Sequence, residues 1–213
     1  LKPTGVFIRH GVSSVPAAEE MIRELLRESD GVTFDKSRCI NQDLTFEYAA
    51  KYFADNHVSF NENNKRTLHL IDTDGYYTNA ALLLSDQCEH SIKCAVYEGN
   101  GKTKFKTRKE FTGAIYEQIE DAYNFVLQHI DLGSRIEGIA RQDYYELPVK
   151  TIREMISNAV CHRSYLTPGK IQVALFDDRL EVTSPGMLDS EITIEKMKSG
   201  LSKIRNRGIA AAF

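Results

Sequence analysis

Arg153-Glu154-Met155-Ile156-Ser157-Asn158-Ala159-Val160-Cys161-His162-Arg163-Ser164-Tyr165 is the stretch on which the reading of this chain turns. Wound as a helix, it sets Glu154, Asn158 and His162 at i, i+4 and i+8, so the three polar side chains line one face. Ile152, Met155, Ile156, Ala159 and Val160 are free to face a sheet. Pro148 suits the first turn, because its fixed φ is helical and its missing N–H would have no partner there. The predicted helix runs from Pro148 to about Arg163. Taken alone, Glu-x-x-x-Asn recurs by chance and reads as a solvated helix face opposite an apolar stripe.

Working outward, Ile171–Phe176 and Leu180–Thr183 read as a tight hairpin around Asp177-Asp178. Ile136–Tyr145 is expected to be extended. A long amphipathic helix fits Glu110–His129, with Ile115, Ile119, Ala122, Phe125 and Val126 inward. Thr78–Leu84, Ile92–Tyr97 and Lys102–Thr107 are strand-like runs, preceded by a turn signal at Thr73-Asp74-Gly75. Short helices fit Thr45–Asp55 and Asn61–Leu70, with Phe46, Ala49, Phe53, Leu68 and Ile71 among their apolar positions. Gly5–Arg9 resembles a strand end. Pro16 and Ala17 then open a helix over Ala18–Glu28, with Met21, Ile22, Leu25 and Leu26 on one face. The second half therefore reads as a mixed sheet with helices on one face.

Three further blocks flank the central segment: Phe176-Asp177-Asp178-Arg179-Leu180-Glu181-Val182-Thr183-Ser184-Pro185-Gly186-Met187-Leu188, Arg141-Gln142-Asp143-Tyr144-Tyr145-Glu146-Leu147-Pro148, and Arg205-Asn206. Together they resemble the degenerate ATPase domain of proteins labelled RecG-related helicases or transcriptional regulators. Those proteins pair an AlbA-type (Schlafen-like) DNA-binding domain with a histidine-kinase-like ATPase domain. The central segment is similar to that family's Arg-Glu-…-Asn-Ala-…-His-Arg-Asp-Tyr signature, with Ser164 where Asp is usual. Phe7–Ser14 with Pro16-Ala17 looks like the last strand and exit of the AlbA-type domain. Thr78–Leu84 is similar to the strand opening the second half. The resemblance is strongest over 135–207 and weakest over 31–75.

The resemblance implies an α+β fold in three parts. A truncated AlbA-type piece spans 1–30, a helical linking segment 31–73, and a two-layer α/β sandwich like the gyrase, Hsp90 and histidine-kinase ATPases 74–213. In that wider group the helix Glu is the general base for water and the Asn ligates a Mg²⁺ that bridges the phosphates of ATP. Carried over, these are Glu154 and Asn158, with His162, Ser184 and Gly186 toward the nucleotide. The chemistry is sound: a carboxylate orders water, and a neutral amide oxygen suits a hard cation that keeps several waters.

Two departures weaken the implied site. Where the working ATPases carry Asp-x-Gly-x-Gly, with the Asp accepting from the adenine amino group, this chain has Ser184-Pro185-Gly186-Met187-Leu188. Exchanging a charged acceptor for a hydroxyl costs ~1–2 kcal/mol. No glycine-rich lid follows before Phe213. The expected function is a DNA-associated regulatory protein with a degenerate ATP-binding domain, weak or absent ATP and Mg²⁺ binding, and no hydrolysis. The alternatives are a Mg²⁺-dependent ATPase and a non-catalytic interaction scaffold that never binds nucleotide. The expected partners are DNA, through the full-length protein, and further copies of the chain in a homo-oligomer. The helicase label has neither a P-loop nor a helicase motif set behind it.

Bulk properties fit this reading. The chain has 213 residues, 42% hydrophobic and 27% charged, with a formal net charge of −3, so any nucleic-acid contact must come from a local patch. The longest apolar run, Ala80–Leu84, is too short to span a bilayer. Cys39, Cys88, Cys94 and Cys161 have no disulfide-framework spacing and are expected to be reduced thiols in a cytoplasmic protein. A first residue of Leu1, no signal peptide, and a helix pattern running out at Ala210–Phe213 give the expectation that both ends are cut.

Several weaker signals have plainer readings. Gly99-Asn100-Gly101-Lys102-Thr103 lacks the first glycine of a P-loop, which Val96 replaces, and reads as a hairpin turn. Cys88, His90 and Cys94 match no zinc spacing. Lys102, Lys104, Lys106, Arg108 and Lys109 read as an edge strand guarded by lysines, with phosphate contact to DNA as the alternative. Lys196, Lys198, Lys203, Arg205 and Arg207 form a second basic group.

Overall fold

The computed structural model describes residues 5–10, 13–17, 19, 22, 26, 33–137, 140–186, 193–200 and 204–212. At its start Phe7–His10 (β1) and Ser13–Pro16 (β2) pair antiparallel, Phe7 against Pro16. Most of the helix expected over Ala18–Glu28 lies outside the described residues. Glu19, Ile22 and Leu26 are helical, and Ile22 is buried, but Leu26 is exposed rather than inward.

Glu47–Asp55 (α1) and Glu62–Thr67 (α2) answer the two short helices expected. The Asn61 side chain caps α2 by accepting from the Asn64 N–H at 3.0 Å. Phe46, Ala49, Phe53, Leu70 and Ile71 are buried, and all but Ile71 join the same core as the rest of the chain.

Asn79–Leu84 (α3) corrects the strand expected over Thr78–Leu84. A short apolar run does not distinguish a buried strand from a buried helix by periodicity. Two things decide for the helix. Ala and Leu have the highest helix propensities, and the first-turn N–H groups of Asn79 and Ala80 bond the Ser37 and Asp35 carbonyls at 2.8 and 2.9 Å. Ala80, Ala81, Leu83 and Leu84 are all buried, so the helix sits within the core.

Ile92–Tyr97 (β3) runs as expected, with Ile92, Cys94 and Val96 turned to the core. Its antiparallel partner is Phe105–Phe111 (β4), displaced toward the C-terminus from Lys102–Thr107. The turn is longer than anticipated, closed by Glu98 N–H on the Lys104 carbonyl at 2.9 Å, and a bulge follows at Val96/Tyr97. Glu110 and Phe111 therefore belong to the strand. The helix Ile115–Leu127 (α4) begins later than Glu110, with the expected five apolar residues all buried.

Leu132–Glu137 (β5) and Ala140–Tyr145 (β6) form a separate antiparallel hairpin. Val149–His162 (α5) follows directly from Pro148. Ile171–Leu175 (β7) and Leu180–Thr183 (β8) are the expected hairpin. The sheet order is β4-β3-β7-β8, with β3 and β7 parallel and Ile92 opposite Ile171. Helices α4 and α5 pack against each other and onto this mixed sheet. Short helices Ile194–Lys198 (α6) and Arg207–Ala210 (α7) complete the described chain. Among the described residues no helix is long and apolar enough to cross a membrane.

Candidate functional site

Helix α5 carries the residues singled out from the sequence. Ile152, Ile156, Ala159, Val160 and Cys161 are buried, while Met155 is half-buried. Burial of that stripe turns Glu154 and Asn158 outward. Both are exposed, and neither side chain has a hydrogen bond or ion pair among the described residues. His162 ends the helix half-buried.

The C-terminal end of α5 is where the other predicted residues gather. The last four carbonyls of any helix lack intrahelical partners. Here each accepts from a different side chain. Ser184 Oγ donates to the Ala159 carbonyl at 2.7 Å, and Tyr165 OH donates to Val160 at 3.2 Å. Asn206 Nδ2 donates to Cys161 at 2.9 Å, and Arg205 Nη1 to His162 at 3.3 Å. The same Asn206 amide reaches the Arg163 carbonyl at 2.8 Å, and its backbone N–H reaches Cys161 at 3.1 Å. Asn206 is 1% exposed.

Gly186 adjoins this end. Its φ is +120°, in the region that favours glycine, and a Cβ there would stand 2.6 Å from Arg205 Nη1 and 2.8 Å from Ser164 Cβ. The neighbouring Pro185 carbonyl accepts from the Ser164 N–H at 2.9 Å. Gly186 therefore packs against the residues just beyond α5. The roles of Ser184, Tyr165 and Arg205-Asn206 as a shared helix cap could not be read from spacing, because every donor is distant in sequence or lies past the helix.

Arg163 and Ser164 are buried at this end as well. Arg163 donates Nη2 to the Gly169 carbonyl at 2.6 Å and lies over the Tyr165 ring, while its Nε and Nη1 are buried without partners among the described residues. Burial, then the charge of Arg163, pushes His90 down to about 4, so its imidazole is neutral at neutral pH. Burial likewise pushes the Cys88 thiol up to about 11. Cys88 and Cys94 are buried members of the core, and among the described residues no cluster of His, Cys, Asp or Glu is placed to hold a metal.

The Gly99–Gly101 stretch is a hairpin turn tied to the β7–β8 turn, with the Gly99 N–H donating to Asp177 Oδ2 at 2.8 Å. The basic run lies on and beside β4, at the edge of the sheet. Lys102 pairs with Glu181 at 3.2 Å, Lys104 with Glu98 at 3.1 Å and Lys106 with Asp177 at 3.0 Å. Arg108 and Lys109 lie over Phe105 and Phe111. In the second basic group Lys203 is outside the described residues, and Arg205 is engaged in the α5 cap.

Comparison with known proteins finds a family likeness over part of the chain and a likeness of fold over most of it. Residues 169–213 match the family described as "Putative ATP-dependent DNA helicase recG C-terminal". No curated protein matches. The crystal structure of the DIP2311 protein from Corynebacterium diphtheriae is similar in fold, with a TM-score of 0.74 and 21% identity. The likeness covers 97% of this chain and 44% of that one, so this chain spans less than half the length of that protein.

Proposed function

We propose that this chain is the ATPase-type portion of a DNA-associated regulatory protein, with a nucleotide site that is vestigial. The observation that carries the reading is the engagement of Ser184. It stands where the resembling ATPases carry the Asp that accepts from adenine. Its hydroxyl proton is given to the Ala159 carbonyl at 2.7 Å, and what it offers adenine is a neutral oxygen in place of a carboxylate. Gly186, the surviving glycine of that box, packs on Ser164 and Arg205. ATP and Mg²⁺ thus meet half of a site. Glu154 and Asn158 are exposed and, among the described residues, unpaired, as a water-ordering base and a metal ligand would be, but the adenine side lacks its carboxylate. The family description over residues 169–213 supports the ATPase-type part of the reading.

The test is titration of ATP with Mg²⁺ into wild type, Asn158→Ala and Glu154→Ala. Both positions are exposed, so the substitutions are expected to change stability by no more than about 0.5 kcal/mol. The expected result is no saturable binding below about 1 mM ATP, equivalent to ~4 kcal/mol of affinity, and no phosphate release. Micromolar binding abolished by Asn158→Ala, with phosphate release stopped by Glu154→Ala, would instead establish a Mg²⁺-dependent ATPase.

A further inference from the structure

The segment between β2 and α3 carries no motif, yet it encloses an open pocket of about 440 Å³. Lys36, Arg66, His69, Ile71, Asp72, Thr73 and Thr78 line it. We infer that this pocket binds the phosphate group of a small phosphorylated molecule.

The charge balance of the lining supports an anion. Lys36 and Arg66 are exposed at the pocket, and neither side chain has an ion pair or hydrogen bond among the described residues. Asp72 opposes them only in part, because both of its oxygens are already engaged. Its Oδ2 accepts from Arg38 at 3.0 Å, and its Oδ1 accepts the Asp74 and Tyr76 N–H groups, each at 2.9 Å. Asp74 is paired with the same Arg38 at 2.5 Å. The carbonyls at the end of α2 are also turned away from duty as acceptors. Lys65 and Arg66 carbonyls receive the Leu70 and His69 N–H groups at 2.8 and 3.0 Å. What remains uncommitted at the pocket is a guanidinium, an ammonium and the His69 imidazole, above the buried side chain of Ile71. Guanidinium and ammonium donors with no internal partner suit phosphate oxygens.

Shape selects a small ligand over a nucleic-acid backbone. The volume falls in the range of about 300–1,000 Å³ typical of small-molecule sites. The whole chain is net negative at −3, which disfavours a long polyanion. The site is separate from α5 and uses none of its residues.

Inorganic pyrophosphate, titrated calorimetrically without Mg²⁺ into the whole chain, tests the inference. The expected result is one saturable site, weakened about ten-fold or more by Arg66→Ala and by Lys36→Ala, the loss of one charge-assisted contact. Arg66→Lys should retain most of the binding. Lys104→Ala and Asn158→Ala should leave it unchanged, which keeps this site distinct from the ATPase-type one. Absence of saturable binding to about 10 mM, equivalent to ~3 kcal/mol, would overturn it. So would equal binding by the Lys36→Ala/Arg66→Ala double variant, loss of binding in Asn158→Ala, or retention of duplex DNA through Arg66 with pyrophosphate inert.

Discussion

Asn206 does more for α5 than any residue within the helix's own last turn. Its amide serves two carbonyls and its N–H a third contact, all while 1% exposed. Asn206→Ala leaves the Arg163 carbonyl without that donor in a buried setting, where an unmet group costs about 1–3 kcal/mol. We expect a loss of about 2–3 kcal/mol in urea unfolding. Ser184→Ala, removing one partly exposed donor, should lose about 1 kcal/mol. An Asn206→Ala variant within about 0.5 kcal/mol of wild type would show that the cap contributes little. The sequence singles out Ser184 and Arg205-Asn206 through a resemblance, but not as caps. Their partners lie 25 to 45 residues away, and no local pattern encodes a bond of that reach.

Helices α1 and α2 end in the same way, and both endings are unusual. His57 and His69 have φ of 59° and 56°, the left-handed conformation that normally falls to glycine after a helix. In each case the next N–H reaches back past it: Val58 to Phe53 at 2.8 Å, and Leu70 to Lys65 at 2.8 Å. A left-handed non-glycine residue costs roughly 1–2 kcal/mol, partly offset by the chain entropy that glycine would lose. His57→Gly and His69→Gly should therefore each stabilise the protein by about 0.5–1 kcal/mol in thermal or urea melts. Destabilisation by either would mean the imidazole makes contacts that outweigh the backbone cost. At this scale the sequence was a good guide where patterns were long. The stripe behind Pro148 placed α5, and alternation placed β3 and the β7–β8 hairpin. It misled at Asn79–Leu84, where a short apolar run is ambiguous and the helix start is met by backbone carbonyls of a distant loop. It also misplaced β4, because the bulge and turn that set its start leave little trace in residue type.

Over the whole molecule, charge argues against a strong nucleic-acid surface. The net charge is −3, and the basic run around β4 is answered by Glu98, Asp177 and Glu181. This chain alone is expected to retard duplex DNA weakly and without sequence preference, with binding lost as salt rises. Tight, sequence-selective retardation at physiological salt, measured by gel shift, would place a DNA-reading surface within these residues. The pocket at Lys36 and Arg66 was not anticipated, since pairing of Asp72 with Arg38, which leaves those cations free, is a property of three-dimensional proximity. The cap on α5 has one further consequence, for the order of events at the ribosome. Domains emerge at roughly 5–20 residues per second. The carbonyls at Cys161 and His162 must wait for Arg205 and Asn206, so for several seconds the nascent helix has an unfinished end. Its final turn should gain protection from amide exchange only after those late residues have left the exit tunnel.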